Sequence, residues 1–346
     1  MRPTPLIKTN LYHLILKNKL KIAVLGGGSW ATALVKVLTE NKRNVGWYVR
    51  NTINASFIKK HRHNPNYLSA ATLKTNRLKI SSNLNEVVIE ADLLIIAIPS
   101  AFLSKELDQL NQPIDNKIIF SAVKGVVPES MLIVGEHFNK KFNVPMEKIG
   151  VILGPSHAEE VAMERLSYLT VACMDNRLAK AVASMLKTKY IRTTISNDIV
   201  GTEYASMLKN IYAIASGIAH ALGYGDNFQS VLMSNAIREM KRFIKDVYKM
   251  KRNINNSAYL GDLLVTGYSV FSRNRSFGNM IGKGYTVKAA QMEMRMIAEG
   301  YYATQSARLI NQKYHTSTPI IDAVFSILYE GKNPERVFKK LIKKLD

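Results

Sequence analysis

Gly26-Gly27-Gly28-Ser29-Trp30-Ala31 is the first stretch of this chain whose residue types and spacing could do chemistry. It fits G-x-G-x-x-A, directly after the apolar run Lys21–Leu25 and opening a helix-like stretch from Trp30 to Glu40. In that setting Gly26 permits a tight turn and Gly28 lets backbone approach a pyrophosphate. Ala31 keeps helix and strand close, and the anion sits on the helix N-terminus. A glycine cluster can also be only a turn; the strand before it and the helix after it favour a dinucleotide. Arg50, about 22 residues beyond Gly28, ends the next β-like run, where an acid usually holds the ribose hydroxyls of NAD. No Asp or Glu stands between Asn41 and Asn85. An arginine here can accept a 2′-phosphate, so the cofactor expected is NADP or NAD, with NADP favoured; a solvated strand-end arginine is the alternative.

Four further blocks are unusual together: Ala122-Val-Lys124-Gly125, Gly154-Pro-Ser-His-Ala158-Glu-Glu160, Leu208-Lys209-Asn210, and Gly261-Asp262-Leu263 followed by Ser272-Arg273-Asn274-Arg275. With Gly-Tyr-Gly-Asp-Asn after the third block, and in this order, they are highly specific. From Lys21 to about Ala307 the chain resembles the NAD(P)-dependent glycerol-3-phosphate dehydrogenases of bacterial type. The resemblance implies interconversion of dihydroxyacetone phosphate and sn-glycerol 3-phosphate, supplying glycerol phosphate for phospholipids. It also implies roles for individual residues. Lys209 matches the catalytic lysine, which handles the proton on the carbinol oxygen. Lys124, Gly154, Ser156, Lys209, Asp262, Ser272, Arg273 and Asn274 match substrate-side positions. Gly26 and Gly28 of the loop, with Ser29, Trp30, Arg50, Lys124, Ala158, Arg273, Ile297 and Glu299, form the cofactor side. Ser234-Asn235-Ala236 departs from the Thr-Arg-Gly of many members.

These residue types suit the reaction. As a ketone is reduced, negative charge develops on oxygen, and a nearby ammonium both stabilises it and delivers the proton. Burial and neighbouring positive charge bring a lysine toward the working pH. Without the resemblance, Lys209 could equally be a helix-surface lysine and Lys124 a solvated loop lysine. Arg273 and Asn274 offer fixed-geometry donors for a phosphate. Asp262 is ill suited to a phosphate and is expected to accept from a substrate hydroxyl or to orient a lysine, with a plain Gly-Asp turn as the alternative. His157 reads as structural rather than catalytic. His61 and His63 have no acidic partner nearby in sequence, so no metal site is expected. Met292, Met294 and Met296 read as partial core, and Lys339–Lys344 as a basic helix end.

Positioning these groups requires a scaffold, and the patterning supplies one. Val45–Val49, Leu93–Ile98, Lys117–Ala122 and Gly150–Leu153 are further apolar runs with helix-permissive sequence between them. Uniformly apolar strands belong to a parallel sheet covered on both faces, so the first part reads as an α/β, doubly wound, Rossmann-like domain. From about Ser196 onward Ile199–Leu222, Val231–Tyr248 and Thr286–Asn311 have helical spacing. We therefore expect a basic N-terminal extension over 1–20, a dinucleotide-binding domain over 21–196, and an all-helical catalytic domain over 197–346.

The length of 346 residues suits two domains. One cysteine, Cys173, excludes an internal disulfide framework. Leu93–Pro99 and Ile211–Gly225 are too short for a membrane span. The N-terminus carries neither a secretory pattern nor the Arg/Ser richness of a transit peptide, so a cytoplasmic location is expected. The net charge of +22 is uneven: Met1–Asn85 has fifteen lysines and arginines against one acid, Glu40. Such a surface attracts phosphates of any origin, nucleic acid among them. With no nucleic-acid module in the sequence, the partner expected is a small phosphorylated substrate, with no nucleic acid, no stable membrane insertion and a possible homodimer.

Overall fold

The structure, a computed structural model, describes residues 20–294 and 298–346. The first half alternates strand and helix: β1 (Ile22–Leu25), α1 (Ser29–Glu40), β2 (Val45–Tyr48), α2 (Thr52–His61), β3 (Leu78–Ser81), α3 (Leu84–Glu90), β4 (Leu93–Ile96), α4 (Ser100–Leu107) and β5 (Ile118–Ser121). A short hairpin, β6 (Val126–Val127) with β7 (Leu132–Ile133), precedes α5 (Val134–Phe142). Then come β8 (Ile149–Leu153), α6 (Ala158–Ala162), β9 (Ser167–Cys173), α7 (Asn176–Leu186) and β10 (Ile191–Ser196).

One eight-stranded sheet results, in the order β10-β9-β8-β5-β4-β1-β2-β3. The run 3-2-1-4-5 with β8 sixth is the Rossmann order, whose strand sequence reverses between β1 and β4. Alternation explains why the strands are apolar throughout. Val24, Trp47, Ile95 and Phe120 pack on one face, and Leu25, Tyr48, Ile96 and Ile119 on the other. Both faces are covered, so no position of the inner strands β1, β4, β5 and β8 is spared.

Two features depart from the sequence reading. β9 and β10 extend the sheet, and β9 runs antiparallel to β8. The exposed edge strand β10, Ile-Arg-Thr-Thr-Ile-Ser, lacks the continuous apolar run that marks the inner strands. Thr286–Asn311 is also not one helix: Val287–Glu293 and Glu299–Tyr314 are separate helices.

The second half is helical: α8 (Ile199–Ala221), α9 (Asp226–Val247), α10 (Asp262–Tyr268), α11 (Arg273–Gly282), α12 (Val287–Glu293), α13 (Glu299–Tyr314), α14 (Pro319–Leu328) and α15 (Pro334–Ile342). Its axis is α8, which is apolar nearly all round and therefore buried on every side. Leu208, Ile211, Ile214 and Ile218 of α8 share a core with Leu232, Phe243, Phe277, Ile320 and Val324. Met292, by contrast, is exposed. Among the described residues no helix is long and apolar enough to cross a membrane.

The start of α8 is tied down on both sides. Asp198 caps it by accepting from Gly201 N–H (2.9 Å), and also accepts from Arg252 Nε (2.7 Å) and the Tyr259 hydroxyl (2.6 Å). Glu203, fully buried one turn on, accepts from Gly135 N–H at the beginning of α5. Burial lifts its carboxyl to about 8.

Against this anchored helix α11 approaches to backbone contact. A Cβ on Gly217 would lie 2.0 Å from the Arg275 carbonyl oxygen, and one on Gly278 2.1 Å from that of Ile214. Only paired glycines permit so close a crossing. It fixes the distance between the helix of Lys209 and that of Arg273 and Asn274.

Candidate active site

The glycine-rich turn is built to present amides. Gly26 has φ +128°, and a Cβ there would lie 2.5 Å from the Ala97 carbonyl oxygen of the neighbouring strand end. The three carbonyls of the turn are each held by another side chain. Trp47 Nε1 donates to Gly26 O (2.7 Å), Asn64 Nδ2 to Gly27 O (3.1 Å) and Thr32 Oγ1 to Gly28 O (2.9 Å). Among the described residues no side chain caps the N-terminus of α1, so its first N–H groups keep their donor capacity. The Cβ direction of Gly28 meets nothing within 4 Å. Free donors, open space and the positive end of a helix dipole form an anion cradle.

A cavity of about 300 Å³ opens beside this cradle, at the carboxyl ends of the central strands. Gly28, Ser29, Trp30, Lys124, Ser156, Ala158, Arg273 and Glu299 line it, together with His157. Trp30 Nε1 is buried with no partner among the described residues, and the Lys124 ammonium lies 5.8 Å from the Trp30 ring centre. These residues fit a dinucleotide: amides for its pyrophosphate, an indole face and a stranded donor beside it. A larger cavity of about 1130 Å³ lies in the helical half near Arg238, Arg242 and Arg308. Those arginines are satisfied by Asp346, Ser317 O and Asp322, which leaves that cavity without the orphaned groups of the smaller one.

Lys209 and Asp262 do not line the small cavity but adjoin it. They form an ion pair, each almost wholly buried. Beyond Lys209, neither Asp262 oxygen has a hydrogen-bond donor among the described residues. Burial drives the Lys209 ammonium down to about 7; Asp262 opposes the shift and Lys124 adds to it. A lysine that both gains and loses its proton near neutrality can act as acid in one direction and base in the other. Glu299 is pushed above the usual carboxylate range by burial, against the pull of Arg273, Lys124 and Lys209.

Backbone links hold these groups in register. Asn210 Nδ2 donates to Lys124 O (3.2 Å), joining α8 to the loop after β5. Gly300 N–H donates to Asn274 Oδ1 (2.8 Å), so what Asn274 offers a ligand is its Nδ2 donor. Ser272 caps α11 by accepting from Arg275 N–H (3.3 Å). Ser156 donates to Gly154 O (3.0 Å), and Gly154, just after β8, has φ +130°.

Arg50 lies two residues beyond β2 and is not among the residues lining the cavity; its guanidinium is mostly exposed. Its partner is Glu106 of α4 (3.3 Å), a buried acid that also accepts from the Tyr48 hydroxyl. Sequence reasoning missed Glu106, because 56 residues separate it from Arg50 and no motif marks it. Ile297 lies outside the described residues. His157, read from sequence as structural, stands on the cavity wall; its ring is held neutral down to about 4 by burial and by Lys124 and Lys209.

A Rossmann-like domain whose glycine turn borders a cavity, with a buried lysine of the helical domain adjoining that cavity, defines a two-domain nicotinamide-dependent dehydrogenase. Comparison with known proteins narrows this. Residues 21–179 match the NAD-dependent glycerol-3-phosphate dehydrogenase N-terminus model, and residues 198–339 the C-terminus model. The chain belongs to the NAD-dependent glycerol-3-phosphate dehydrogenase family. Glycerol-3-phosphate dehydrogenase [NAD(P)+] of Macrococcus caseolyticus is 33% identical over 325 residues, covering 93% of this chain and 98% of the relative. The Bacillus subtilis enzyme of the same name is 34% identical over 324 residues, with 93% and 94% covered. A crystal structure of glycerol-3-phosphate dehydrogenase from Coxiella burnetii superposes with a TM-score of 0.86 at 27% identity, covering 93% and 98%.

Proposed function

We propose that the protein interconverts dihydroxyacetone phosphate and sn-glycerol 3-phosphate with NADPH or NADH, NADPH being preferred. The single observation that carries this is Lys209, buried, paired with Asp262 and titrating near neutrality beside the cavity. The nicotinamide cofactor, when bound, supplies or takes up the hydride. In the reducing direction Lys209 donates its proton to the carbonyl oxygen as charge develops there, while Lys124 adds a second positive charge to the same region. Asp262 orients the ammonium and, by its charge, keeps enough of it protonated.

Arg273 and the Asn274 amide bind the substrate phosphate; Ser272 and the Gly154–Ser156 turn form the wall beside it. On the cofactor side, Gly26 and Gly28 shape the pyrophosphate cradle, and Ser29, Trp30, Ala158 and Glu299 surround it; Ile297 is assigned to this side by the resemblance alone. Arg50 meets the 2′-phosphate that distinguishes NADPH. The reading divides the chain at 196/197, just ahead of α8, and sets the reaction in the cytoplasm, in a homodimer, feeding phospholipid synthesis. Purified protein should consume NADPH and NADH absorbance on addition of dihydroxyacetone phosphate. Absence of turnover with either cofactor would sink the proposal; light scattering tests the dimer.

A further inference from the structure

Asn64 stands in the loop that joins α2 to β3, outside every role assigned so far. The loop is closed at its neck by Leu73 N–H donating to Arg62 O (2.8 Å). Within it the Asn64 side chain is only 1% exposed, and both of its polar atoms are engaged. Nδ2 donates to Gly27 O (3.1 Å) and to Thr32 Oγ1 (2.9 Å), and Oδ1 accepts from Asn66 N–H (3.1 Å). Gly27 O can only accept and Asn66 N–H can only donate, which settles which end of the amide faces which partner. Thr32 Oγ1 gives its own proton to Gly28 O (2.9 Å), which also accepts from Thr32 N–H (3.0 Å). One buried amide therefore holds two carbonyls of the glycine-rich turn, Gly27 O directly and Gly28 O through the threonine hydroxyl.

In a planar trans peptide the C=O and the N–H that follows it point in opposite directions. Drawing Gly27 O and Gly28 O toward Asn64 and Thr32 turns the N–H groups of Gly28 and Ser29 the other way, and Gly28 and Ser29 belong to the cavity wall. Tyr67, the residue after Asn66, lines the same cavity, so Asn64 also ties that part of the wall to the turn. Glycines have no side chains with which to fix their own peptide planes, and a donor that is already aimed costs nothing to orient when an anion arrives. We propose that Asn64 is a positioning residue for the cofactor, locking these two peptide planes so that their N–H groups face the pyrophosphate. Asn64 is not itself a cavity residue; it acts through the turn. The role deepens the cofactor side of the function proposed above and rests on it. NADPH and NADH share the pyrophosphate, so Asn64 strengthens both alike and leaves the choice between them to other residues.

The test measures dissociation constants by calorimetry for NADPH, for NADH and for ADP-ribose, which has the pyrophosphate but no nicotinamide. Asn64→Leu, similar in size, removes both donors and should weaken all three ligands by the same factor, at least about tenfold. At saturating cofactor the KM for dihydroxyacetone phosphate should change by less than about threefold. Thr32→Val leaves the bond to Gly27 O in place and should weaken the same three ligands by a smaller factor. The double variant should lose less than the product of the two single losses, because both changes break one relay. Should Asn64→Leu not fold, Asn64→Asp carries the same expectation, since it keeps the bond from Asn66 N–H and loses both donors. A lower midpoint of thermal unfolding with all three dissociation constants unchanged would overturn the role and leave Asn64 to the fold alone. A loss confined to NADPH would overturn it too, placing Asn64 with the 2′-phosphate, as would fully multiplicative losses in the double variant. A wild-type protein that binds none of the three ligands would overturn the cofactor reading itself, and this role with it.

Discussion

Lys209 is set by its burial and by two charged neighbours, Asp262 and Lys124. Lys209→Met keeps the apolar stem but removes the proton and the charge. Turnover should fall by at least about 10²–10⁴-fold while NADPH still binds, measured by steady-state rates alongside fluorescence titration. The pH dependence follows from an ammonium lowered to about 7. Reduction needs the protonated form, so kcat/KM for dihydroxyacetone phosphate should be level below pH 7 and decline above it. Oxidation of glycerol 3-phosphate needs the free amine and should rise through the same pH. Asp262 opposes the lowering, so Asp262→Asn should move the declining limb to lower pH; a profile that stays in place would deny Asp262 that influence. Arg273→Ala should raise the KM for dihydroxyacetone phosphate and lower kcat, because remote phosphate binding also positions the carbonyl. Unphosphorylated dihydroxyacetone should be far less sensitive. Equal losses on both would assign Arg273 to the fold or the cofactor.

At the scale of elements, the crossing of α8 and α11 determines whether these side chains meet. Gly278→Ala places a methyl group 2.1 Å from the Ile214 carbonyl oxygen, which is backbone and cannot swing aside. Overpacking of this kind costs about 1–3 kcal/mol, and α11 must lift away from α8. We expect a lower midpoint of thermal unfolding together with a raised KM for the phosphorylated substrate, since Arg273 and Asn274 move with the helix. Gly225→Ala is the control. A Cβ there meets nothing within 4 Å and φ is −78°, so apart from up to about 1 kcal/mol for alanine at the N-cap of α9, the KM should barely change. If the two alanine variants behave alike, the crossing does not hold the site together.

Across the whole molecule, charge governs the meeting with anionic ligands. A net charge of +22 should attract both dihydroxyacetone phosphate and the dinucleotide, so kcat/KM should fall as salt shortens the screening length from about 30 Å at 0.01 M to about 8 Å at 0.15 M. Dihydroxyacetone itself, being neutral, should show little of this. Cofactor choice belongs to the same field. Arg50→Asp should weaken NADPH use by at least tenfold, about 1.4 kcal/mol, and leave NADH equal or improved, judged by kcat/KM at one fixed salt concentration. Glu106→Gln removes the carboxylate that partly neutralises Arg50 and should shift the preference further toward NADPH. An unchanged cofactor ratio in both variants would make the Arg50–Glu106 pair a bystander.

The sequence by itself determined the inner strands, the glycine turn and the long central helix. Each of these rests on local rules: continuous apolar runs, a fixed spacing of glycines, and helical periodicity. It also marked out the blocks proposed to carry chemistry, through the resemblance their order and residue types carry. Only the tertiary structure decided how those blocks meet. Lys209 could have been a surface lysine; its burial and its pairing with Asp262, 53 residues away, are long-range facts. Glu106 beside Arg50 and the stranded Nε2 of His157 are of the same kind, as is the antiparallel return of β9. None leaves a periodic or motif-like trace, because the forces responsible act between residues distant in the chain. Desolvation, the approach of like and opposite charges, and backbone-to-backbone contact at paired glycines exist only once the chain has closed on itself.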